Sequence, residues 1–318
     1  MRRLLMAFFV LGVSAFAQRP NFHPFDYDAK LPLDSEDVGL DFRGPVGIYD
    51  FSYASPKGGR VPAYLVLPPG KGPFAAVIWG HWCWANSEFR NRKEFLDEAV
   101  ALAPSGVASL LIDFPIARPG YVQDKDPLST KQIDEVVQQV VDIRRATDFL
   151  LGRSFVDSKR LAYVGHSCGA TAGAIVSGID KRFRAFVLMA DGLSDEMIVK
   201  SAEFQELRQK QGAEKTDAFV AKHSLIDPSK YLSHAAPAAL FFQNATQEKF
   251  LTPERAKAAA AFASEPKQFK LYDAPHALNG EARRDRIAFL TEQLQLKPLP
   301  AEALAKIPDL PQPPEPQP

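Results

Sequence analysis

Residues 161–171, LAYVGHSCGAT, decide how this chain folds. Leu161–Gly165 is a short apolar run of strand character. Ser167 lies between Gly165 and Gly169, and a run of small residues, CGATAGAIVSG (168–178), follows at once. A strand that ends on G-x-S-x-G and turns directly into a helix is a nucleophile elbow. The turn is tight, so a side chain at Gly165 or Gly169 would strike neighbouring backbone. It lifts the Ser167 hydroxyl clear of the sheet and aims the first helical N–H groups at any oxygen bound there. A glycine-bounded strand end with a merely capping serine is the bland alternative, and the strand–turn–helix context weighs against it.

Outward from the elbow, strands and helices alternate. PFAAVIWGH (73–81), VASLLIDFP (107–115), FRAFVLMA (183–190) and AALFFQ (238–243) are continuous apolar runs, as parallel strands buried on both faces require. QFKLYD (268–273) is a further strand. Helices are expected over 87–103, 129–151, 168–178, 253–264 and 280–295. GIYDFSYAS (47–55) and VPAYLVLPP (61–69), joined by Pro56-Lys57-Gly58-Gly59, form a hairpin. This pattern predicts an α/β fold, a doubly wound and mostly parallel sheet of about eight strands. Residues 18–45 are expected to form an extended arm. Residues 192–235 hold two amphipathic helical stretches and exceed a normal connection. Long excursions in compact domains tend to be functional, so a helical cap over the site is expected there.

The ends of the chain differ from its body. MRRLLMAFFVLGVSAFAQ has two arginines, a short apolar run and Ala15-Phe16-Ala17, the pattern of an export signal over residues 1–17. The run is too short for a spanning helix, and no other is long enough. A secreted or periplasmic protein in an oxidising compartment is therefore expected. Residues 18–300 form the domain, and 301–318, ending PDLPQPPEPQP, a Pro-rich disordered tail. Lys+Arg and Asp+Glu both number 38, so nothing in the charge balance points to a nucleic-acid partner.

A serine hydroxyl needs a base, and the base an orienting acid. Among the histidines, His23 lies in the arm, His166 is held beside the serine by the turn, and His223 and His234 lie in or near the long excursion. His276, in YDAPHALNG, sits between the last strand and the last helix, in the loop that a doubly wound sheet brings beside its elbow. The order Ser…acid…His places the acid between 167 and 276. Glu248, just past the strand 238–243, is the preferred residue; Asp191 and Asp195 are its rivals. Two backbone donors must meet the oxyanion. Cys168 N–H is one, and the loop Gly80-His81-Trp82-Cys83-Trp84 supplies the other, from Trp82 or Cys83.

The hairpin, the Gly-His loop after a buried strand, GHSCG, NATQE and PHAL run in order across residues 46–295. In these features the chain resembles the α/β-hydrolase superfamily, and in detail the secreted esterases of the dienelactone-hydrolase-like and acetyl-xylan-esterase-like groups. The resemblance implies an eight-stranded sheet and a Ser167–Glu248–His276 triad. It departs from the family in three places: serine replaces the cysteine of dienelactone hydrolases, Glu248 replaces the usual Asp, and Trp82 replaces a small residue. It implies a serine esterase that acts on a small-molecule ester through an acyl-enzyme, with no cofactor or metal. The alternatives are a serine peptidase of the prolyl-oligopeptidase type and a catalytically silent binding module. The only two cysteines, Cys83 and Cys168, fall in the two donor loops, which in this fold converge. A disulfide is one outcome. Two buried thiols acting as small hydrophobes is the preferred one, because Cβ directions decide and the sequence does not contain them.

Overall fold

Apolar runs at the centre of the sequence become the centre of a sheet. In β4 (Phe74–Gly80) every residue after the first is buried, and in β5 (Val107–Ile112) every residue is. Strands without a polar face must be covered on both sides, and they are. This computed structural model describes residues 23–192, 194–248 and 251–312; the expected export signal and residues 313–318 of the tail lie outside them.

The sheet has nine strands: β1 (Glu36–Arg43), β2 (Val46–Ala54), β3 (Arg60–Leu67), β4, β5, β6 (Val156–His166), β7 (Ala185–Met189), β8 (Ala239–Ala245) and β9 (Lys267–Tyr272). Their spatial order is β1-β2-β3-β5-β4-β6-β7-β8-β9. β1, β2, β3 and β5 pair antiparallel; every pair from β5 to β9 is parallel. The ninth strand comes from the arm. β1 pairs with β2 from Arg43↔Val46 to Glu36↔Ser52, and all its residues are exposed, so no buried periodicity marks it in the sequence.

The helices are α1 (Leu96–Leu102), α2 (Lys131–Leu151), α3 (Cys168–Ile179), α4 (Asp195–Val199), α5 (Ala202–Gln211), α6 (Ala213–His223), α7 (Ser229–Leu232), α8 (Pro253–Ala261), α9 (Gly280–Leu294) and α10 (Ala301–Ala305). One face of the sheet packs on α2 and α3 through Val140, Ile143, Ala170 and Ile175. The other packs on α1 and α9 through Ala99, Leu102, Ile287 and Leu290. Each fully buried Leu, Ile or Val contributes about 1.5–3 kcal/mol against exposure, so both layers are tied to the sheet by apolar burial.

Two expectations fail here. The helix expected over 87–103 begins only at Leu96, because Ser87 and Asn91 side chains accept from Phe89 N–H and Lys93 N–H and hold the preceding segment in turns. The tail is not disordered over residues 301–312. Leu304 of α10 is buried, Ile307 packs on the α1–α9 layer, and Arg283 donates to the carbonyls of Ile307 and Pro308 and to Asp309. Composition alone hides such docking, since a few anchored residues suffice.

Between β7 and β8 the chain forms α4 to α7, of which α7 packs on α3. No helix among the described residues is long and apolar enough to cross a membrane.

Candidate active site

β6 ends in the elbow. Ser167 has φ 55° and ψ −119°, a strained conformation for a side-chain-bearing residue, and strain of this kind collects at functional positions. The surroundings enforce it. Ser167 N–H donates to Met189 O at 2.8 Å, which ties the turn to β7. A Cβ on Gly165 would meet Gly169 O at 2.4 Å, and one on Gly169 would meet Gly80 O at 2.4 Å and His81 O at 2.8 Å. Glycine at 169 therefore lets the loop after β4 lie directly on the first turn of α3.

That contact decides the cysteines. Cys83 and Cys168 stand with Cα atoms 5.7 Å apart and form a disulfide, S–S 1.99 Å. The preference for two free thiols is thus overturned. The separation falls inside the window a disulfide needs, because the glycine-mediated approach brings the two loops into backbone contact.

His276 occupies the loop between β9 and α9 and is 8% exposed. Its Nδ1 is hydrogen-bonded to Glu248 Oε2. Its Nε2 is buried and has no hydrogen-bond partner among the described residues. Burial lowers the His276 pKa below the ordinary 6.5, while the bond to Glu248 opposes the shift. The neutral ring is therefore the favoured state near neutral pH, as a base requires. Trp84 packs against the ring at 4.7 Å between centroids, and Trp82 lies parallel to it at 6.1 Å.

The rival acids are occupied elsewhere. Asp195 Oδ1 is 2.6 Å from His223 Nδ1, and Asp191 accepts from Thr171 Oγ1 at 3.0 Å.

The loop after β4 separates the two suggested donors. Trp82 N–H donates to Glu94 Oε2 at 2.6 Å, so it is not available to an oxyanion. Cys83 N–H and Cys168 N–H have no acceptor among the described residues. Phe114 N–H donates to His81 Nε2 at 3.0 Å, which leaves the His81 proton on Nδ1, 2.6 Å from Trp82 O. That oxygen and Cys83 N–H belong to one planar peptide unit. Fixing the oxygen therefore fixes the direction of the N–H.

Sequence reasoning missed Glu94 and gave His166 no role beyond packing. His166 is fully buried, with Nδ1 2.6 Å from Glu94 Oε1 and Nε2 2.9 Å from the His276 carbonyl oxygen. The bond to His276 O also shows that the elbow and the His276 loop abut. No spacing rule could single out Glu94, which lies in a polar segment resembling a solvated helix start.

A cavity of about 920 Å³ opens beside the β2–β3 hairpin, lined among others by Phe51, Arg60, Arg92, Arg118 and Tyr121. Ser167, Glu248 and His276 are not part of its wall.

No protein-family model and no curated protein sequence matches the chain. Solved structures do resemble it. An acetyl xylan esterase from Paenibacillus sp. R4 superposes with a TM-score of 0.66 at 22% identity, over 83% of this chain and 90% of that one. Acetyl xylan esterase 1 from Thermoanaerobacterium sp. JW/SL YS485 gives 0.67 at 17% identity, over 85% and 91%. A glucuronoyl esterase from Solibacter usitatus gives 0.59 at 13%, over 83% and 86%. A mostly parallel sheet wound by helices on both faces, a strained serine at the end of β6 and shape agreement along most of its length together make this chain an α/β-hydrolase-fold protein.

Proposed function

We propose that the protein is a serine hydrolase of carboxylic esters, and that it works in an exported compartment. The observation that carries the reading is His276. One ring nitrogen is bonded to Glu248, whose side chain is 6% exposed, the other is buried with no hydrogen-bond partner among the described residues, and its loop abuts the elbow that presents Ser167.

The chemistry follows from these positions. His276 Nε2 takes the Ser167 Oγ proton as oxygen attacks the ester carbonyl carbon. Glu248 holds Nδ1–H and stabilises the imidazolium. The carbonyl oxygen, now negative, is met by Cys83 N–H and Cys168 N–H, the latter at the positive end of α3. Collapse expels the alcohol, which takes the proton from His276, and leaves an acyl-Ser167 ester. A water molecule, deprotonated by His276, then releases the acid and restores the serine. The resemblance in shape to two acetyl xylan esterases and a glucuronoyl esterase supports an ester as substrate. The N-terminal sequence and the disulfide support export.

The test is a fluorophosphonate serine probe together with chromogenic esters of graded acyl length, run beside a prolyl-peptide substrate. Labelling at Ser167 with ester turnover is expected. Peptide cleavage in place of ester turnover would assign a peptidase, and the absence of both would leave only a binding module.

A further inference from the structure

One buried pair that the mechanism does not use joins the three segments around Ser167. The side chains of Glu94 and His166 are both 0% exposed. Glu94 Oε2 accepts from Trp82 N–H at 2.6 Å, Glu94 Oε1 lies 2.6 Å from His166 Nδ1, and His166 Nε2 lies 2.9 Å from His276 O. A single carboxyl and a single imidazole thus connect the loop after β4, the elbow and the loop after β9.

The hydrogen-bond inventory places the protons. A carbonyl oxygen only accepts, so the proton of His166 is on Nε2. In a neutral ring Nδ1 is then an acceptor, and the atom facing it must donate. Glu94 supplies that donor only if it is protonated on Oε1. A carboxylate facing an imidazolium would bury two charges, which is costly without further partners. The nearby Arg286 is committed as a fork to Glu98, at 2.6 and 2.5 Å. The remaining titratable neighbours are Tyr163, whose hydroxyl donates to Gly169 O at 2.7 Å, and Glu248 and His276, which pair with each other. Burial acts in the same direction: it raises the Glu94 pKa well above the carboxylate range and lowers that of His166. The Trp82 ring packs against His166 at 5.0 Å, and the His276 ring stacks on it at 5.0 Å, so the imidazole is held in one orientation.

We infer that Glu94 and His166 act as a neutral positioning pair that keeps the oxyanion loop, Ser167 and His276 in one register. The inference rests on the roles proposed above for Ser167 and His276. Trp82 is held at its N–H by Glu94 and at its C=O by His81, so the peptide carrying Cys83 N–H cannot rotate. The same pair fixes the backbone of the residue that serves as base.

Two substitutions separate this from a charged or merely structural role. Glu94→Gln keeps both bonds, since its amide oxygen accepts from Trp82 N–H and its NH₂ donates to His166 Nδ1. Glu94→Asp keeps the acid but draws it back by one methylene, so it no longer reaches both partners. Expected is rescue by the conservative variant: E94Q retains kcat within about threefold, with an unchanged pH profile. E94D loses roughly tenfold to a hundredfold in kcat at nearly constant KM, the scale of a misplacement near 1 Å. An active E94D beside an impaired E94Q would overturn the inference in favour of a carboxylate role. Wild-type kcat in both would reduce the pair to packing, and loss in both, or an E94Q that does not fold, would overturn its neutrality. ¹⁵N NMR of the wild-type protein gives a second reading: His166 is expected as the neutral Nε2–H tautomer, and an imidazolium signal at pH 7 would overturn it. Failure of wild-type protein to take the fluorophosphonate probe would instead sink the Ser167 reading, so the two failures are distinguishable.

Discussion

Replacing Cys83 and Cys168 together by alanine should cost stability and activity through two separate effects. The bond spans 85 residues. In the chain-entropy description, −2.1 − 1.5R ln n gives about −15 cal/mol/K for a loop of that length, or about 4.6 kcal/mol at 25 °C. A folded chain of this size unfolds with roughly 0.6 kcal/mol/K of entropy, so the expected fall in Tm is about 8 °C. The catalytic effect is local. The bond ties the residue of one proposed oxyanion donor to the residue of the other, so its loss loosens both N–H groups against the bound oxygen. A drop in kcat of about tenfold is expected, less than the hundredfold or more that follows from deleting a donor outright. The assays are urea unfolding, calorimetry and ester turnover on the C83A, C168A and double variants. Each single substitution breaks the same bond, so the two singles and the double should agree in stability to within about 1 kcal/mol, strongly non-additive. Additive losses, or a double variant with unaltered Tm, would refute the argument that the bond acts by restraining the loop.

Ser167→Ala should lower kcat by on the order of 10³ or more while the protein stays folded, and His276→Ala should be nearly as damaging, because such groups act as a unit; turnover measured beside circular dichroism checks both. Glu248→Gln should cost on the order of a hundredfold or more, whereas Asp195→Asn, whose partner is His223, should leave kcat unchanged. The acid limb of kcat/KM should have its midpoint below pH 6.5, because burial lowers the His276 pKa and the base must be neutral; a midpoint above 7 would contradict the burial. His81 is pushed down to about 4 by burial, so its contribution to stability is present above pH 6.5 and is lost as pH falls through 4, on the order of 3 kcal/mol by urea midpoints. Ending the chain at Pro300 should lower Tm by a few degrees, since Leu304 loses its burial, worth about 2 kcal/mol, and Arg283 its acceptors.

Much of this protein is legible before it folds. The four buried runs, the hairpin and the helices after them follow from local periodicity, because a strand covered on both faces has no polar positions to spare. The elbow is legible because G-x-S-x-G imposes a local steric demand that a strand–turn–helix context makes specific. Chain order singles out His276 and Glu248, which the structure pairs, since each loop follows a strand whose place in the sheet the alternating pattern dictates. What the sequence withheld depends on directions in space. Whether Cys83 and Cys168 bond is set by the approach of Gly169 to Gly80. Whether Trp82 or Cys83 offers its N–H is set by a glutamate twelve residues away whose burial only the packed fold reveals. β1 carries no buried face, and the docked tail has only a few anchors, so neither leaves a periodic signature. Local chemistry fixes which groups are available; the contacts between segments distant along the chain fix where they point, and tertiary structure alone determines those contacts.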